Sequence, residues 1–541
     1  MPTEVSNQSR AMRWSTPTAL FFATLMLIAA TARDYGVAWD EPPYFHAADL
    51  HLQWFKEAEV NLSSGKLRKS LDDAVIKAAW HWNPYNVPHP PFSRIISAIT
   101  KSLSGNLLDK FSAYRLAPAL FFALLVTVMY LWLNELFGPA AGFFSATALM
   151  LSPNLFGYAH LAVTDLPLAA MWFVTVYCFC KGLGNWPWSI ALGVVWGLAI
   201  STKFPAFLIP APLILWAHLF HRDKYANNIF ALLFLAPVVM VATQPYLWHQ
   251  TGLRVLEFLY EGISRGYRPD ANFGVFFLNQ IQSSQQLPWH YPFYIVAVTT
   301  PEPLLFLALV GICSVIWLRE QRSTLLLLTL NAAFVLILGL LPGAVLHDGV
   351  RQMLSALPFL AALAGAGFCA ITTWLLNVAR RSERIQRIAH LRSKISAAVF
   401  LLACFHPLMD LYLAHPFQLS YYNRLVGGIR GAYERGLETT YFMEAITPRF
   451  LQTLNEKLPR NAAVNASFAN FMFEYYQKEG MLRRDLRFSS TGPFDFYLVL
   501  NRRSALSPRD RQLMRSARRP VEAISIAGVP LVALYDISES R

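Results

Sequence analysis

The feature that most constrains this chain is a series of eleven mostly apolar segments within its first 414 residues. A helix needs about 20 such residues to cross the hydrocarbon core of a bilayer. Only 15% of the residues are charged, whereas soluble domains carry about 25%, so a large soluble core is excluded. The sequence therefore predicts a mainly α fold, a polytopic transmembrane helical bundle of about eleven spans. The segments are 14–32, 115–133, 139–155, 165–181, 188–202, 204–220, 227–245, 294–317, 324–341, 353–376 and 397–414.

Lysine and arginine are unevenly divided between the two sides of this bundle. With the N-terminus in the cytoplasm, thirteen of them fall in short cytoplasmic segments and only Lys203 and Arg351 in short outer loops. Positive charge in short loops marks the cytoplasmic side, so we predict a multi-pass cell-membrane protein with a cytoplasmic N-terminus. The same bias accounts for the net charge of +13 without a nucleic-acid partner. Residues 30–32 would also suit a signal peptidase, in which case the first span is removed and the next residues are still outside.

The spans divide the chain into two regions. We assign residues 1–414 to a transmembrane module, whose long loop 33–114 is extracytoplasmic, and residues 415–541 to a second domain on that same side. This tail alternates helix-like stretches, such as "ITPRFLQTLNEKLP", with strand-like ones, such as "FDFYLVLN". The alternation predicts a small C-terminal α/β extracytoplasmic domain.

Several charged residues lie at the predicted outer ends of the spans. Each has an ordinary explanation when taken alone: Asp165 suits the start of a helix, and Lys203 could extend to the lipid headgroups. Together they place carboxylates and cations on one membrane surface, where a charge at bilayer depth costs about 2.5–3.5 kcal/mol and therefore needs a partner. We expect them to face one cavity and to pair. The residues are Asp40 and Glu41 after the first span, Asp165, Lys203, and His347, Asp348 and Arg351 in "LHDGVRQML".

This combination of charges suits chemistry on a lipid-linked phosphate. Cations at the membrane surface form charge-assisted hydrogen bonds with a phosphate or diphosphate, and a nearby carboxylate can take the proton of an acceptor hydroxyl. The stretch 47–58 places Leu50, Trp54 and Phe55 on one helical face, which predicts an amphipathic helix lying on the membrane. The first long loop also holds aromatic side chains that could stack on sugars or lie among the headgroups, namely Trp54, Phe55, Trp80, Trp82 and Tyr85.

The Asp-Glu pair of the first outer loop and the later "HPP" at 89–91 resemble the GT-C superfamily of integral-membrane glycosyltransferases. Within it, the chain resembles the bacterial protein O-mannosyltransferase and aminoarabinose-transferase-like group. The resemblance covers most of the chain to about residue 435. It continues through "TDLP", "STKFPAFLIP", "LPWHYP", "TTPEPLLF", "HDGVRQMLSALPFLAALAG" and "HPFQLSYYNRLVGG".

This resemblance implies that a sugar is transferred from a polyprenyl-phosphate donor on the extracytoplasmic face, with inversion at the anomeric carbon. Asp40 matches the catalytic carboxylate of the group, with Glu41 beside it, and Asp165 matches a second acidic position. The residues that match positions near the lipid phosphate in related enzymes are Lys203, His347 and Arg351.

The predicted function is that of a membrane glycosyltransferase with Asp40 as general base. Its partners would be a polyprenyl-phosphate-linked sugar donor, a glycan, lipid or protein acceptor, and the surrounding membrane lipids. Two other classes stay open: a transporter or flippase for the same lipid, which would need repeats with interrupted helices, and a non-catalytic glycan-binding membrane scaffold. A transferase for diphosphate-linked oligosaccharides is a variant of the enzyme. A divalent metal could be held by Asp40, Glu41 and Asp165, or these carboxylates could act without one, paired to Lys203 and Arg351.

Overall fold

The computed structural model describes residues 3–83, 89–380 and 391–538, and helices form most of that part of the chain. Tyr85 and the basic run 381–390, with Arg381, Arg384 and Arg387, lie outside the described residues. Each of the eleven predicted spans coincides with one or more helices, which confirms a mainly α bundle. The helices up to residue 414 are α1 (Thr3–Thr31), α2 (Glu41–Ser63), α3 (Leu67–Leu71), α4 (Asp73–Trp80), α5 (Phe92–Ser104), α6 (Lys110–Phe137), α7 (Pro139–Met150), α8 (Pro153–Tyr158), α9 (Asp165–Lys181), α10 (Trp186–Ile200), α11 (Pro210–Phe220), α12 (Ala226–Phe230), α13 (Ala236–Ala242), α14 (Thr251–Ser264), α15 (Tyr291–Thr299), α16 (Glu302–Cys313), α17 (Arg322–Leu338), α18 (Leu357–Arg380) and α19 (Leu391–Ala414).

The apolar helices fall into two groups by length. Among the described residues, one group has 21–30 residues per stretch and the other has only 10–17 residues per helix. The predicted span 294–317 shows one reason why some helices are short. Pro301 lacks an N–H group and favours an extended conformation at Thr300, so α15 ends there and α16 begins after the proline. One continuous helix was expected over this range, and two are found. The stretches that are long and apolar enough to cross a membrane are Trp14–Asp34, Lys110–Phe137, Arg351–Arg380 and Leu391–Ala414.

The helical core is built around α18, which packs against α16, α7 and α17. Glycines make the contact between α16 and α18 close. A Cβ atom on Gly311 would stand 2.0 Å from the carbonyl oxygen of Leu363, and one on Gly367 would stand 1.9 Å from that of Leu307. Small residues let two membrane helices approach backbone to backbone and gain van der Waals contact. The close contact between α16 and α18 holds α18 in place. The segment that leads into α18 contains predicted site residues.

The first long loop forms four helices, α2 to α5, and two of its tryptophans point inward. Trp54 is 7% exposed and Trp80 is 1% exposed, and their rings meet edge to face with centroids 5.3 Å apart. The prediction that these two rings stack on sugars or lie among headgroups is therefore wrong, because their large apolar surfaces are buried in the protein instead. Phe55, also on α2, is 41% exposed.

The C-terminal region forms a five-stranded sheet with helices against it, which confirms the predicted α/β domain. Two helices of this region have capped N-termini. Thr447 accepts from the N–H of Phe450, and Ser507 and Asp510 form a reciprocal capping box. A separate antiparallel hairpin of β1 (Gly274–Phe277) and β2 (Gln280–Ser283) lies between α14 and α15. The C-terminal elements are α20 (Gly428–Glu434), α21 (Pro448–Lys457), β3 (Ala463–Asn465), α22 (Asn470–Lys478), β4 (Arg487–Phe488), β5 (Phe496–Leu500), α23 (Pro508–Arg515), β6 (Glu522–Ile526) and β7 (Val529–Asp536).

The sheet has the strand order β4-β3-β5-β7-β6, with β3 parallel to both neighbours and β7 antiparallel to both of its own. The linker ahead of the sheet belongs largely to the helical core, in which Leu419, Tyr422 and Phe442 are buried. From Met443 onward the chain packs in a second core with the sheet, and Val37 packs there too. The segment between α1 and α2 is thus in contact with the C-terminal domain.

Candidate active site

Arg351 lies at the centre of a cluster of charged residues from separate parts of the chain. Its guanidinium donates to Asp40 at 2.5 Å, to Asp165 at 3.3 Å and to Asp348 at 3.2 Å. Arg351 is only 7% exposed, so these carboxylates compensate a charge that has little water around it. The structure therefore brings together residues that the sequence placed at the ends of different spans.

Lys203 extends the cluster through Asp165. Asp165 is the first residue of α9, and Lys203 follows α10 in an extended conformation. The ammonium group of Lys203 donates to Asp165 at 2.7 Å, and both residues are buried. Neither ordinary explanation describes these contacts, because Thr164 rather than Asp165 is the N-cap residue and Lys203 pairs inside the protein.

A tight turn before α18 sets the position of the Asp348 carboxylate. Asp348 and Gly349 have φ angles of 57° and 63°, a region that glycine enters freely and other residues rarely. His347 Nδ1 lies 2.7 Å from the carboxylate. Burial raises the pKa of this carboxyl group, but the charge of Arg502 and the contact with His347 outweigh burial and hold the pKa below its ordinary value. Asp348 is therefore an anionic partner for Arg351.

The three carboxylates around Arg351 differ in their access to solvent. The side chain of Asp40 is 30% exposed, whereas those of Asp165 and Asp348 are 1% and 0% exposed. Among the three, Asp40 alone can meet a molecule that arrives from solution. Pro42 and Pro43 follow it in the first turn of α2, and their fixed φ angles limit the backbone there.

Glu41 points away from Asp40 and belongs to a separate buried ion pair. Its carboxylate accepts from Arg115 at 2.7 and 2.9 Å and from the backbone N–H groups of Ala38 and Ala162. Arg115 directs its remaining contacts at carbonyl groups of the segment just after α1. This pair therefore fixes the backbone that leads to Asp40.

These contacts do not fit the divalent-metal site considered for the three predicted carboxylates. Glu41 faces Arg115, while Asp40 and Asp165 both pair with Arg351. Within residues 3–83, 89–380 and 391–538, no group of three His, Cys, Asp or Glu side chains is arranged to hold an ion. Hard cations such as Ca²⁺ take six or more oxygen ligands, which this cluster does not supply.

Two arginines in and next to the site were not predicted. Arg502, which follows β5 in the C-terminal domain, lies 3.0 Å from Asp348 in an ion pair without the alignment of a hydrogen bond. The signal for Arg115 was its place at the very start of a predicted span, where a charge needs a partner. Arg502 gave no such signal, because a pair of arginines that follows a strand usually lies in an exposed loop.

A family model of dolichyl-phosphate-mannose-protein mannosyltransferase matches residues 88–249 of this chain. The matched stretch includes Asp165 and Lys203 but not Asp40 or Arg351. The resemblance to GT-C glycosyltransferases is confirmed. No match to this chain was found among curated proteins.

Solved structures resemble this chain over most of its length at low sequence identity. Crystal structures of ArnT from Cupriavidus metallidurans in the apo state and bound to undecaprenyl phosphate are 16% and 15% identical to it, with TM-scores of 0.49 and 0.47. These alignments cover 97% and 96% of this chain and 98% and 97% of the ArnT chains. A crystal structure of the Archaeoglobus fulgidus oligosaccharyltransferase tethered with an acceptor peptide is 12% identical, with a TM-score of 0.47, and the alignment covers 88% of this chain and 60% of that one. The roles of residues in this chain therefore rest on its own geometry.

Proposed function

We propose that this protein moves a sugar from a polyprenyl-phosphate donor to an acceptor hydroxyl, with inversion at the anomeric carbon. The observation that carries the proposal is the cluster in which Arg351 holds the solvent-accessible Asp40 beside Asp165 and Lys203. It joins one accessible base to two cations in a single network, which is the set of groups that such a transfer requires. The match to mannosyltransferases that use a dolichyl-phosphate sugar supports the same chemistry.

Asp40 is the general base of the proposed reaction. The acceptor oxygen attacks the anomeric carbon, and its proton passes to the Asp40 carboxylate. The bond between that carbon and the phosphate oxygen breaks, and its electron pair leaves with the phosphate. Asp40 Oδ2 accepts from Arg351, which orients the carboxylate and leaves Oδ1 for the acceptor hydroxyl.

Lys203 and Arg351 stabilise the departing phosphate in this proposal. An ammonium group has three donors, and Lys203 directs one at Asp165, so others can serve phosphate oxygens. Arg351 adds a planar fork whose charge is constant at physiological pH. Both cations are paired with Asp165, which holds them in place until the phosphate competes for them. His347 touches Asp348 and acts through that carboxylate.

The same proposal includes the side of the membrane and the acceptor. The thirteen lysines and arginines in short loops on one side of the predicted topology support a site on the extracytoplasmic face of the cell membrane. The C-terminal domain, residues 415–541, would lie on that face, next to the cluster. The acceptor would be a hydroxyl of a glycan, a lipid or a protein that reaches Asp40 from the aqueous side.

Deleting the gene tests the proposal without knowledge of the sugar. A polyprenyl-phosphate-linked sugar should accumulate in the lipid extract, disappear when the parent protein is restored, and persist when Asp40→Asn is supplied instead. The purified parent protein in nanodiscs should then release polyprenyl phosphate from this accumulated lipid in the presence of a cell-envelope extract as acceptor. An unchanged lipid extract after deletion would contradict the proposal. Clearance of the lipid without release of polyprenyl phosphate would indicate a flippase.

A further inference from the structure

One side chain of the C-terminal domain reaches into the cluster around Arg351. Arg502 follows β5 and is 6% exposed. Its guanidinium lies 3.0 Å from Asp348, donates to the carbonyl of Tyr441 at 2.5 Å, and lies 4.4 Å from the ring centre of Trp39. These partners belong to three segments: the turn before α18, the linker ahead of the sheet, and the segment between α1 and α2.

We infer that Arg502 is a positioning residue, which holds Asp348 and Trp39 and through them keeps Arg351 and Asp40 aligned. Two routes lead from it to the base. One passes through Asp348 to Arg351, which donates to Asp40; the other passes through Trp39, the residue before Asp40 in the chain. The inference rests on the proposed function, because it gives the C-terminal domain a part in the site of transfer.

The first route depends on the different partners of the two carboxylate oxygens of Asp348. Oδ2 accepts from Arg351 at 3.2 Å and contacts His347 at 2.7 Å, while Oδ1 faces Arg502 at 3.0 Å. A carboxylate held from both sides keeps one orientation. The adjoining cavity measures only about 10 Å³, close to the least volume that admits one water. Without Arg502, the buried carboxylate would lose a cation that solvent cannot replace, and it would turn together with Arg351.

The second route acts on the segment that carries the base. Arg502 lies over the Trp39 ring in a cation–π contact. The backbone N–H of Trp39 donates to the carbonyl of Phe442 at 2.9 Å, and the backbone N–H of Gly36 donates to the carbonyl of Glu444 at 3.2 Å. The segment is therefore tied to the linker by its backbone. Arg502 adds a contact with the C-terminal domain at Trp39, next to the hydrogen bonds between the Val37 backbone and the Tyr476 hydroxyl.

Glu438 fixes the loop that presents Arg502. Its carboxylate accepts from the backbone N–H groups of Arg503 and Ser504 at 2.7 and 2.9 Å. The side chain of Arg503 turns elsewhere, to the ring of Phe276 at 4.2 Å. The two adjacent arginines thus contact different surfaces. A substitution of Arg503 is a matched control, because it removes the same charge as a substitution of Arg502.

Hydrogen exchange of the full-length protein in nanodiscs tests the positioning role independently of sugar transfer. In R502Q, we expect the Trp39 N–H and the amides of 347–351 to exchange about tenfold faster than in the parent, because local opening governs exchange. R503Q should leave both sites unchanged. Parental exchange at both sites in R502Q would overturn the inference, and so would equal effects of R502Q and R503Q.

Turnover gives a second readout, measured as polyprenyl phosphate released from the lipid that accumulates in the deletion strain. R502Q should lower kcat by about 10- to 100-fold with little change in the KM for this lipid, because a small misplacement of a reacting group has an effect of that size. R502K keeps the charge but not the planar fork, so it should recover part of the loss. The double variant R502Q/D348N should lose less than the product of the two single losses, because both changes break the contact between Arg502 and Asp348.

The outcomes separate the two proposals. Losses from R502Q and D348N that multiply would overturn the route through Asp348. If R502Q does not fold, R502K decides, and parental exchange and kcat in R502K would then overturn the inference. If the parent protein releases no polyprenyl phosphate, the proposed function is wrong, and the exchange comparison of R502Q with R503Q still decides the positioning role.

Discussion

The guanidinium of Arg351 donates to the carboxylate of Asp40 at 2.5 Å, although the two residues are 311 positions apart in the chain. The contact joins the segment after the first long helix to the start of the helical stretch that begins at Arg351. Arg351 is buried and Asp40 is partly exposed, so the pair lies where the protein interior meets solvent. Ion pairs with one buried member hold both side chains in fixed positions, because the buried charge has few other partners. The contact therefore orients the Asp40 and Arg351 side chains, and replacing one of them should have a different effect from replacing the other.

Replacing Asp40 by asparagine should remove the base and leave the donor site in place. Asparagine keeps the size and can still accept from Arg351, but it cannot take up the acceptor proton. We expect turnover to fall by about 100- to 10,000-fold, with undecaprenyl phosphate binding nearly unchanged. Asp34→Asn is the control, because Asp34 is 45% exposed and contacts His415 instead. A folded Asp40→Asn protein with a near-parental rate would show that Asp40 is not the base.

Replacing Lys203 by alanine should weaken the binding of the donor phosphate. The change removes a buried cation and leaves Asp165 paired with Arg351 alone, so less of its negative charge is compensated when the phosphate arrives. A charged hydrogen bond contributes about 1.5–3 kcal/mol, so we expect the Kd for undecaprenyl phosphate to rise by about 10- to 100-fold. Lys181→Ala is the matched control, since Lys181 ends the same helix that Asp165 begins and pairs with Glu135. Equal Kd values for the parent and Lys203→Ala would remove Lys203 from the phosphate site.

Replacing Glu41 by glutamine should affect stability rather than the chemical step. Glu41 and Arg115 are 0% and 1% exposed, and removing one member of such a pair leaves an uncompensated buried charge, at a cost of about 3–5 kcal/mol. We expect a lower unfolding temperature and poorer expression. The double variant E41L/R115M removes both charges and should recover only part of the loss, because the backbone groups that these two side chains contact would lose their partners. A parental unfolding temperature in Glu41→Gln would contradict this structural role.

Local properties of the sequence predicted the elements of the fold and the ends at which the polar residues lie. The number of apolar segments, the C-terminal α/β alternation and the charges at span ends all follow from residues close together in the chain. Partners could not be predicted in that way. Asp40 and Glu41 are adjacent, yet neighbouring residues at a helix start point in different directions, and one faces Arg351 while the other faces Arg115.

The contribution of the C-terminal domain was the least predictable part of the site. Arg502 stands beside Arg503 after a strand, and nothing local distinguishes the two. The difference arises only from packing, because Arg502 is turned toward Asp348 and Trp39 while Arg503 is turned toward Phe276. A site assembled from side chains hundreds of residues apart requires the relative positions of the helices, which local patterns do not contain.

The orientation of the bundle is the next prediction, and it decides on which face the cluster lies. A reporter that is active only outside the cytoplasm should be active when fused after Arg541 and silent when fused within 380–394. The physical reason is the excess of positive charge in the short loops that we place in the cytoplasm. A reporter active within the cytoplasm should give the opposite pattern at the same two sites. Activity of the first reporter within 380–394 would place the cluster on the other face.

A buried carboxyl group near the site should make the stability of the protein depend on pH. Glu444 is 0% exposed, and among the described residues no donor reaches its Oε1. Burial raises the pKa of Glu444 from 4.5 to about 7, against the effect of backbone N–H groups that stabilise the charged form. Because this pKa is higher in the folded than in the unfolded protein, the folded state holds more protons between these values.

The free energy of unfolding should therefore fall as the pH rises from about 4.5 to about 7, by about 3 kcal/mol from this group. Glu444→Gln has no proton to lose and should remove that share of the pH dependence, so its unfolding temperature should exceed that of the parent at pH 8. Glu434→Gln is the control, since Glu434 is 61% exposed. Asp348 does not interfere, because its pKa is lowered and its effect on stability lies at more acidic pH. An identical pH dependence in the parent and in Glu444→Gln would show that Glu444 is not the group responsible.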